Sequence, residues 1–152
     1  MVLEWDVSDR LHIDMEKGSL MESLFEPDAS SWDVLNDISK QVIGAAFTVS
    51  NELSCGFLEK VYENALAYEL RKRGINAVQQ EPIRVLYSGV EVGIYQADLV
   101  VEGKVLVELK AVRELNEIFM AQCTNYLKAT RMRLCLLVNF GKPKVEIKRI
   151  VL

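Results

Sequence analysis

The sequence predicts an α/β domain, a mixed central β-sheet flanked by helices. Two stretches of helical apolar spacing open the body of the chain, extended segments punctuated by glycine turns follow, and a further helical stretch precedes two late strand segments. With 152 residues, 50% of them hydrophobic and 26% charged, the chain is long enough to bury one real core.

In residues 30–53, Ile38, Val42, Ala45, Ala46 and Val49 recur at helical spacing, with Ser30 and Asp33 placed as a capping box. Ser54, Cys55 and Gly56 break that helix. A second helix over 57–74 is expected to bury Leu58, Val61, Ala65 and Tyr68, and it ends on basic residues and Gly74, as a helix C-terminus favours. Extended segments are expected at 75–80 and 83–87, at 90–101 after the Ser88-Gly89 turn, and at 104–112 after Glu102-Gly103. The third helix takes 116–130. A buried strand follows at 133–140, and a last one at 145–151 lies beyond the turn at 141–143. No internal repeat or low-complexity tract interrupts this order, which calls for helices packed on a sheet.

Composition narrows the function. The three cysteines, Cys55, Cys123 and Cys135, show no CxxC spacing and cannot all pair, which argues against a disulfide framework, a zinc ribbon or an iron–sulfur cluster. They read as reduced, structural thiols. Apolar runs are short, and acids stand where a signal peptide would carry positive charge, so the expectation is a cytoplasmic protein with no membrane partner. The net charge of −4 is unevenly spread. Residues 1–36 hold nine acids against Arg10 and Lys17, a net of −7, which leaves +3 for the remainder. Residues 1–34 therefore read as an acidic arm and 35–152 as the domain. The basic runs at 71–73, 131–133 and 142–149 permit phosphate contacts, though such runs also make ordinary solvated faces.

Register explains the charges planted among Val and Leu at 96–110. If Glu102, Gly103 and Lys104 form the hairpin loop, Val101 pairs with Val105 and Asp98 faces Glu108. Ala97, Leu99, Val101, Val105, Val107 and Leu109 then share one apolar face, and Asp98, Glu108 and Lys110 share the other. Two carboxylates across a strand pair repel unless something positive lies between them. A divalent cation such as Mg²⁺, which takes one or two carboxylates plus waters and a substrate phosphate, meets that need. A Lys110 salt bridge on an exposed sheet face is the alternative.

Asp98, followed about ten residues later by Glu108-x-Lys110, after a helix that supplies Glu59, resembles the active-site pattern of the PD-(D/E)XK nuclease superfamily. Gly56, Glu59 and Tyr62 in "GFLEKVY" look like the signature of its GxxExxY branch, and the resemblance runs over roughly residues 35–152. It implies a restriction-endonuclease-like core (αβββαβ) and a metal-dependent nuclease. Asp98 and Glu108 would hold Mg²⁺, with the Leu109 carbonyl helping, and Mn²⁺ is also acceptable to such an oxygen site. Lys110 would position or activate the attacking water, and Glu59 would stand at the metal edge. Gln122 and Tyr126, one turn apart, look like the Gln-x-x-x-Tyr signature of RecB-type members, and with Tyr62 they are the expected substrate-binding residues. The blander alternatives are a helix-terminal charge for Glu59, core packing for Tyr62 and Tyr126, and a turn for Gly56. Ser50 and Phe119 depart from the pattern, standing where family members often carry histidine, and the sole histidine, His12, lies in the arm. The implied partner is nucleic acid, with DNA expected and a homo-oligomer left open. The rival reading is a catalytically silent nucleic-acid-binding or oligomerisation module of the same fold. The arm, greasy as well as acidic, is expected to pack on a basic surface and mask phosphate-binding residues.

Overall fold

The computed structural model describes residues 29–152. The expected acidic arm lies outside the described residues as far as position 28. Helix α1 (Ala29–Leu53) already includes Ser30, so Ser30 does not stand ahead of the first turn as a cap. The predicted stripe of α1 is its buried face, with Ile38, Val42, Ala45, Ala46 and Val49 all inside.

Helix α2 (Glu59–Lys72) turns a different face inward from the one expected. Leu58 stands just before it, 82% exposed, Val61 and Tyr68 on it are exposed too, and the buried set is Tyr62, Glu63, Leu66, Ala67 and Leu70. The cause is Glu63. A stripe containing a carboxylate looks wrong for a core, but this one is hydrogen-bonded by Gln79, Gln80 and Lys60, which offsets its burial. The loop before α2 turns at Gly56, whose φ of +121° suits glycine alone.

The sheet has five strands in the order β1-β2-β3-β4-β5: Ala77–Tyr87, Val90–Val101, Val105–Lys110, Leu134–Asn139 and Glu146–Val151. Neighbours are antiparallel except β3 and β4, which run parallel and are joined through helix α3 (Glu117–Thr130). This is a mixed α/β sheet flanked by helices, as predicted, with one difference. The two segments expected at 75–80 and 83–87 form a single strand, because β1 lies on the sheet edge, where Pro82 and its missing N–H are tolerated. Asn116 caps α3 by accepting hydrogen bonds from the N–H groups of Ile118 and Phe119.

Strand β4 and all of β3 before Lys110 are buried, as parallel strands covered on both faces should be. One side carries a cluster of Ile83, Ala97, Val100, Leu106, Cys135 and Leu137 against Cys123, Tyr126 and Leu127 of α3. Cys123 and Cys135 are therefore structural thiols, whereas Cys55 is exposed; none of the three is disulfide-bonded.

The cluster exposes an irregularity. Ala97 and Val100 differ in parity yet both pack against α3, so the alternation of β2 slips by one between them. Strand β1 slips alongside: Gln79 reaches Glu63 and Asn64 of α2, while Ile83, of the same parity, joins the α3 cluster. Opposite Asp98, between the pairs Gln79↔Leu99 and Glu81↔Ala97, sits Gln80 with φ +56°. A left-handed residue inside a strand reorients the chain as a bulge does, and Asp98 stands at that point.

Candidate active site

The predicted register holds over three pairs, Leu99 with Val107, Val100 with Leu106 and Val101 with Val105. Asp98 and Glu108, however, are not a ladder pair, and Ala97 packs with Val100 and Leu106 instead of sharing the face of Leu99 expected of it. At the next position the ladder opens. The Leu109 N–H donates to Asp98 Oδ2 at 2.8 Å, and the Asp98 N–H reaches Glu108 Oε1 at 3.4 Å. Side-chain oxygens thus replace the backbone acceptors where the strands part, and the two carboxylates are brought together as expected.

Their electrostatics are strained. Glu108 is buried, and desolvation first, then the Asp98 charge, push its carboxyl up to about 9, against the pull of Lys110. Asp98 is also raised, chiefly by burial, although the Leu109 N–H and Lys110 oppose the shift.

Helix α2 supplies two further acids. Glu59 lies at its first position and accepts a hydrogen bond from the Ala111 N–H, just past Lys110; burial raises its pKa, and Lys110 lowers it. Glu63, one turn on, was not foreseen. Its Oε2 accepts from Gln80 Nε2 at 2.8 Å, and the same nitrogen lies 3.5 Å from Asp98 Oδ1, so Gln80 links the helix acid to the strand acid. The Glu59-to-Glu63 spacing, which places both on one helix face, was the available signal.

Lys110 ends β3 with its Nζ 5.0 Å from the centroid of the Phe119 ring, a cation–π contact at one of the positions where histidine was expected. Beyond it the chain is fixed from β4. Buried Asn139 accepts from Val112 N–H and Gly141 N–H and donates to Val112 C=O, while Phe140 N–H donates to Lys110 C=O. Gly141 passes so close to the Val112 backbone that a Cβ there would collide with Val112 C=O. Nothing in the sequence marked Asn139 for this task.

Gln122 and Tyr126 face each other along α3, Gln122 Nε2 donating to Tyr126 Oη at 2.6 Å. Burial raises the Tyr126 phenol, Gln122 opposes this, and the charges of Glu108 and Asp98 add to it, which places the hydroxyl within their field. Tyr62 is placed differently. Its ring is fully buried and stacked on Phe140, and its hydroxyl donates to Ser54 C=O and accepts from Phe57 N–H. That hydroxyl ties the α1–α2 loop and offers substrate no exposed surface.

Donors at the centre are oxygens, and two carboxylates raised by burial and by a neighbouring acid, Asp98 beside Glu108 and Glu63 beside Asp98, are what a hard divalent cation would neutralise. Among the described residues no three His, Cys, Asp or Glu side chains converge as a metal cage. A Mg²⁺-like ion would therefore keep waters and substrate oxygens as its remaining ligands, its usual habit. Asp98 and Glu108 offer oxygens suited to such an ion, and the Lys110 ammonium beside them has the charge to face a phosphate.

A family model described as the PD-(D/E)XK nuclease superfamily matches residues 36–150. Similar solved structures include an alkaline exonuclease (LHK-Exo) from Laribacter hongkongensis, at 12% identity over 74% of this chain and 81% of that one with a TM-score of 0.43. They also include SSO0001, at 15% identity over 91% of this chain and 77% of that one with a TM-score of 0.47. No curated protein matches.

Proposed function

The chain belongs to the PD-(D/E)XK nuclease superfamily, and on that premise we propose that it hydrolyses phosphodiester bonds of nucleic acid, with a divalent cation, Mg²⁺ or Mn²⁺, held by Asp98 and Glu108. The observation that carries this reading is the pair itself: two carboxylates brought together where β2 and β3 part, with Glu108 pushed up to about 9.

When bound, the ion would polarise the scissile phosphate and lower the pKa of an attacking water. The chain's own residues do the rest. Asp98 accepts from the Leu109 N–H on one oxygen and is braced on the other through Gln80 to Glu63, so the direction of its carboxylate is set. Lys110, resting on Phe119, offers Nζ–H donors to the attacking water and to the charge that develops on the phosphate. Glu59, beside Lys110 and with a raised pKa, is the group that accepts or returns a proton at the water side. The Leu109 carbonyl is the additional oxygen ligand in this reading, and Gln122 and Tyr126 line the substrate side. Membership of the GxxExxY branch is the finer assignment that Gly56, Glu59 and Tyr62 support.

The test is cleavage of mixed DNA and RNA substrates with Mg²⁺ or Mn²⁺, wild type beside Asp98→Asn. The expected result is cleavage by the wild type that stops with chelator and is abolished in the variant. Cleavage equal in both would overturn the assignment, and binding without cleavage in the wild type would select the silent-module reading.

A further inference from the structure

Outside the carboxylate centre, a groove of about 900 Å³ runs between the outer part of the β1–β2 hairpin and α3. That is the size of a ligand site. Its lining includes Gln122 and Tyr126, and the charges of Glu108 and Asp98 act on the Tyr126 phenol. Tyr95, 52% exposed, lines the groove and leans on Tyr126 with ring centroids 5.5 Å apart and a 50° tilt. Three cations line it, Arg84, Lys128 and Arg131, and no acid does. Arg84 also reaches Glu91 at 3.6 Å, while among the described residues Lys128 and Arg131 have no ion-pair partner. An acid-free groove with three cations on a chain of net charge −4 is a local reversal of sign.

We infer that this groove binds a single strand of nucleic acid, one base stacking on Tyr95, its phosphates following Arg84, Lys128 and Arg131, and leads it toward the Asp98–Glu108 centre. The inference deepens the nuclease reading and rests on it for the direction of the strand. Single strands are favoured over duplex by the rings. An open tyrosine face is useful to an unpaired base, which has its own π-face free, whereas the bases of a duplex are already stacked on each other and present phosphates and edges. The cations explain affinity without sequence reading, since phosphate contacts carry no base information.

The test is fluorescence anisotropy in EDTA, so that binding is read apart from cleavage. The probes are short oligo(dT), oligo(U) and a blunt duplex of equal length, and the DNA and RNA arms decide which sugar the groove prefers. The wild type is expected to bind a single strand about tenfold or more tighter than the duplex. Tyr95→Ala should weaken single-strand binding by roughly fivefold to a hundredfold, the range of stacking losses, and Tyr95→Phe should retain it. Lys128→Ala should weaken every sequence alike and lower the salt slope by about one. Tyr68→Ala, an exposed tyrosine on α2 outside the groove, should change nothing. Duplex bound as tightly as single strand, no binding to either, or an unchanged Tyr95→Ala with intact fold would each overturn the inference. The two readings fail separately. Metal-dependent cleavage lost in Asp98→Asn but untouched in Tyr95→Ala would leave the nuclease and remove the groove. Single-strand binding with no cleavage under either metal would do the reverse.

Discussion

Glu108 has lost nearly all its water and faces a second carboxylate, so in the metal-free protein it favours its neutral form. Its carboxyl rises from an ordinary 4.5 to about 9. The folded state therefore holds a proton there that the unfolded chain releases above about pH 4.5. The stability this supplies is complete below that pH and is lost as pH climbs through about 9. Melting of the metal-free protein should fall over this window, and Glu108→Gln should flatten the fall and melt higher at pH 8, by about 2–4 °C per kcal/mol relieved. In the proposed mechanism Lys110 serves the substrate, so Lys110→Ala should retain metal binding in calorimetry while cleavage drops ~10²-fold or more. Tyr62→Phe should cost ~1–2 kcal/mol in denaturant unfolding, because both hydroxyl bonds of the loop are lost, and should leave KM unchanged. A raised KM with unchanged stability would return Tyr62 to the substrate side.

At the scale of elements, the site depends on how the ends of β3 and β4 are tied. Asn139 satisfies three backbone groups of neighbouring turns and is fully buried, so Asn139→Ala should destabilise by ~2–4 kcal/mol in urea unfolding, and cleavage should suffer with it because the chain after Lys110 loosens. Asn139→Asp, which keeps the acceptor but loses the donor to Val112 C=O, should fall between. Much of this level was legible in the sequence. The pairing of Leu99–Val101 with Val105–Val107, which brings Asp98 near Glu108, followed from placing one glycine loop, and the α1 stripe from helical spacing. The inward face of α2 was not legible, because a stripe holding Glu63 looks wrong until Gln79, Gln80 and Lys60 are brought to it from outside the helix or a turn away. The break expected between residues 80 and 83 is absent, because an edge strand tolerates Pro82. The parity slip at Gln80 and Asp98 was also hidden, since only a backbone in the left-handed region reveals it.

For the whole molecule, charge is the property that reaches farthest. The body carries the basic groove, and residues 1–28 hold eight acids and two bases, so their removal takes the chain from −4 to +2. Affinity for nucleic acid should rise at low salt in that truncated chain, with a steeper salt dependence, because long-range repulsion is removed whatever contacts the segment makes. Among the described residues no helix is long and apolar enough to cross a membrane. The central claim is that Asp98 and Glu108 form a divalent-cation centre, and calorimetric titration of Mg²⁺ and Mn²⁺ into wild type and Asp98→Asn tests it most directly. Asparagine keeps an oxygen for the Leu109 N–H and removes only the charge. Saturable binding in the wild type that vanishes in a folded Asp98→Asn is the predicted result. Identical titrations of the two proteins, or no heat of binding in the wild type, would contradict it.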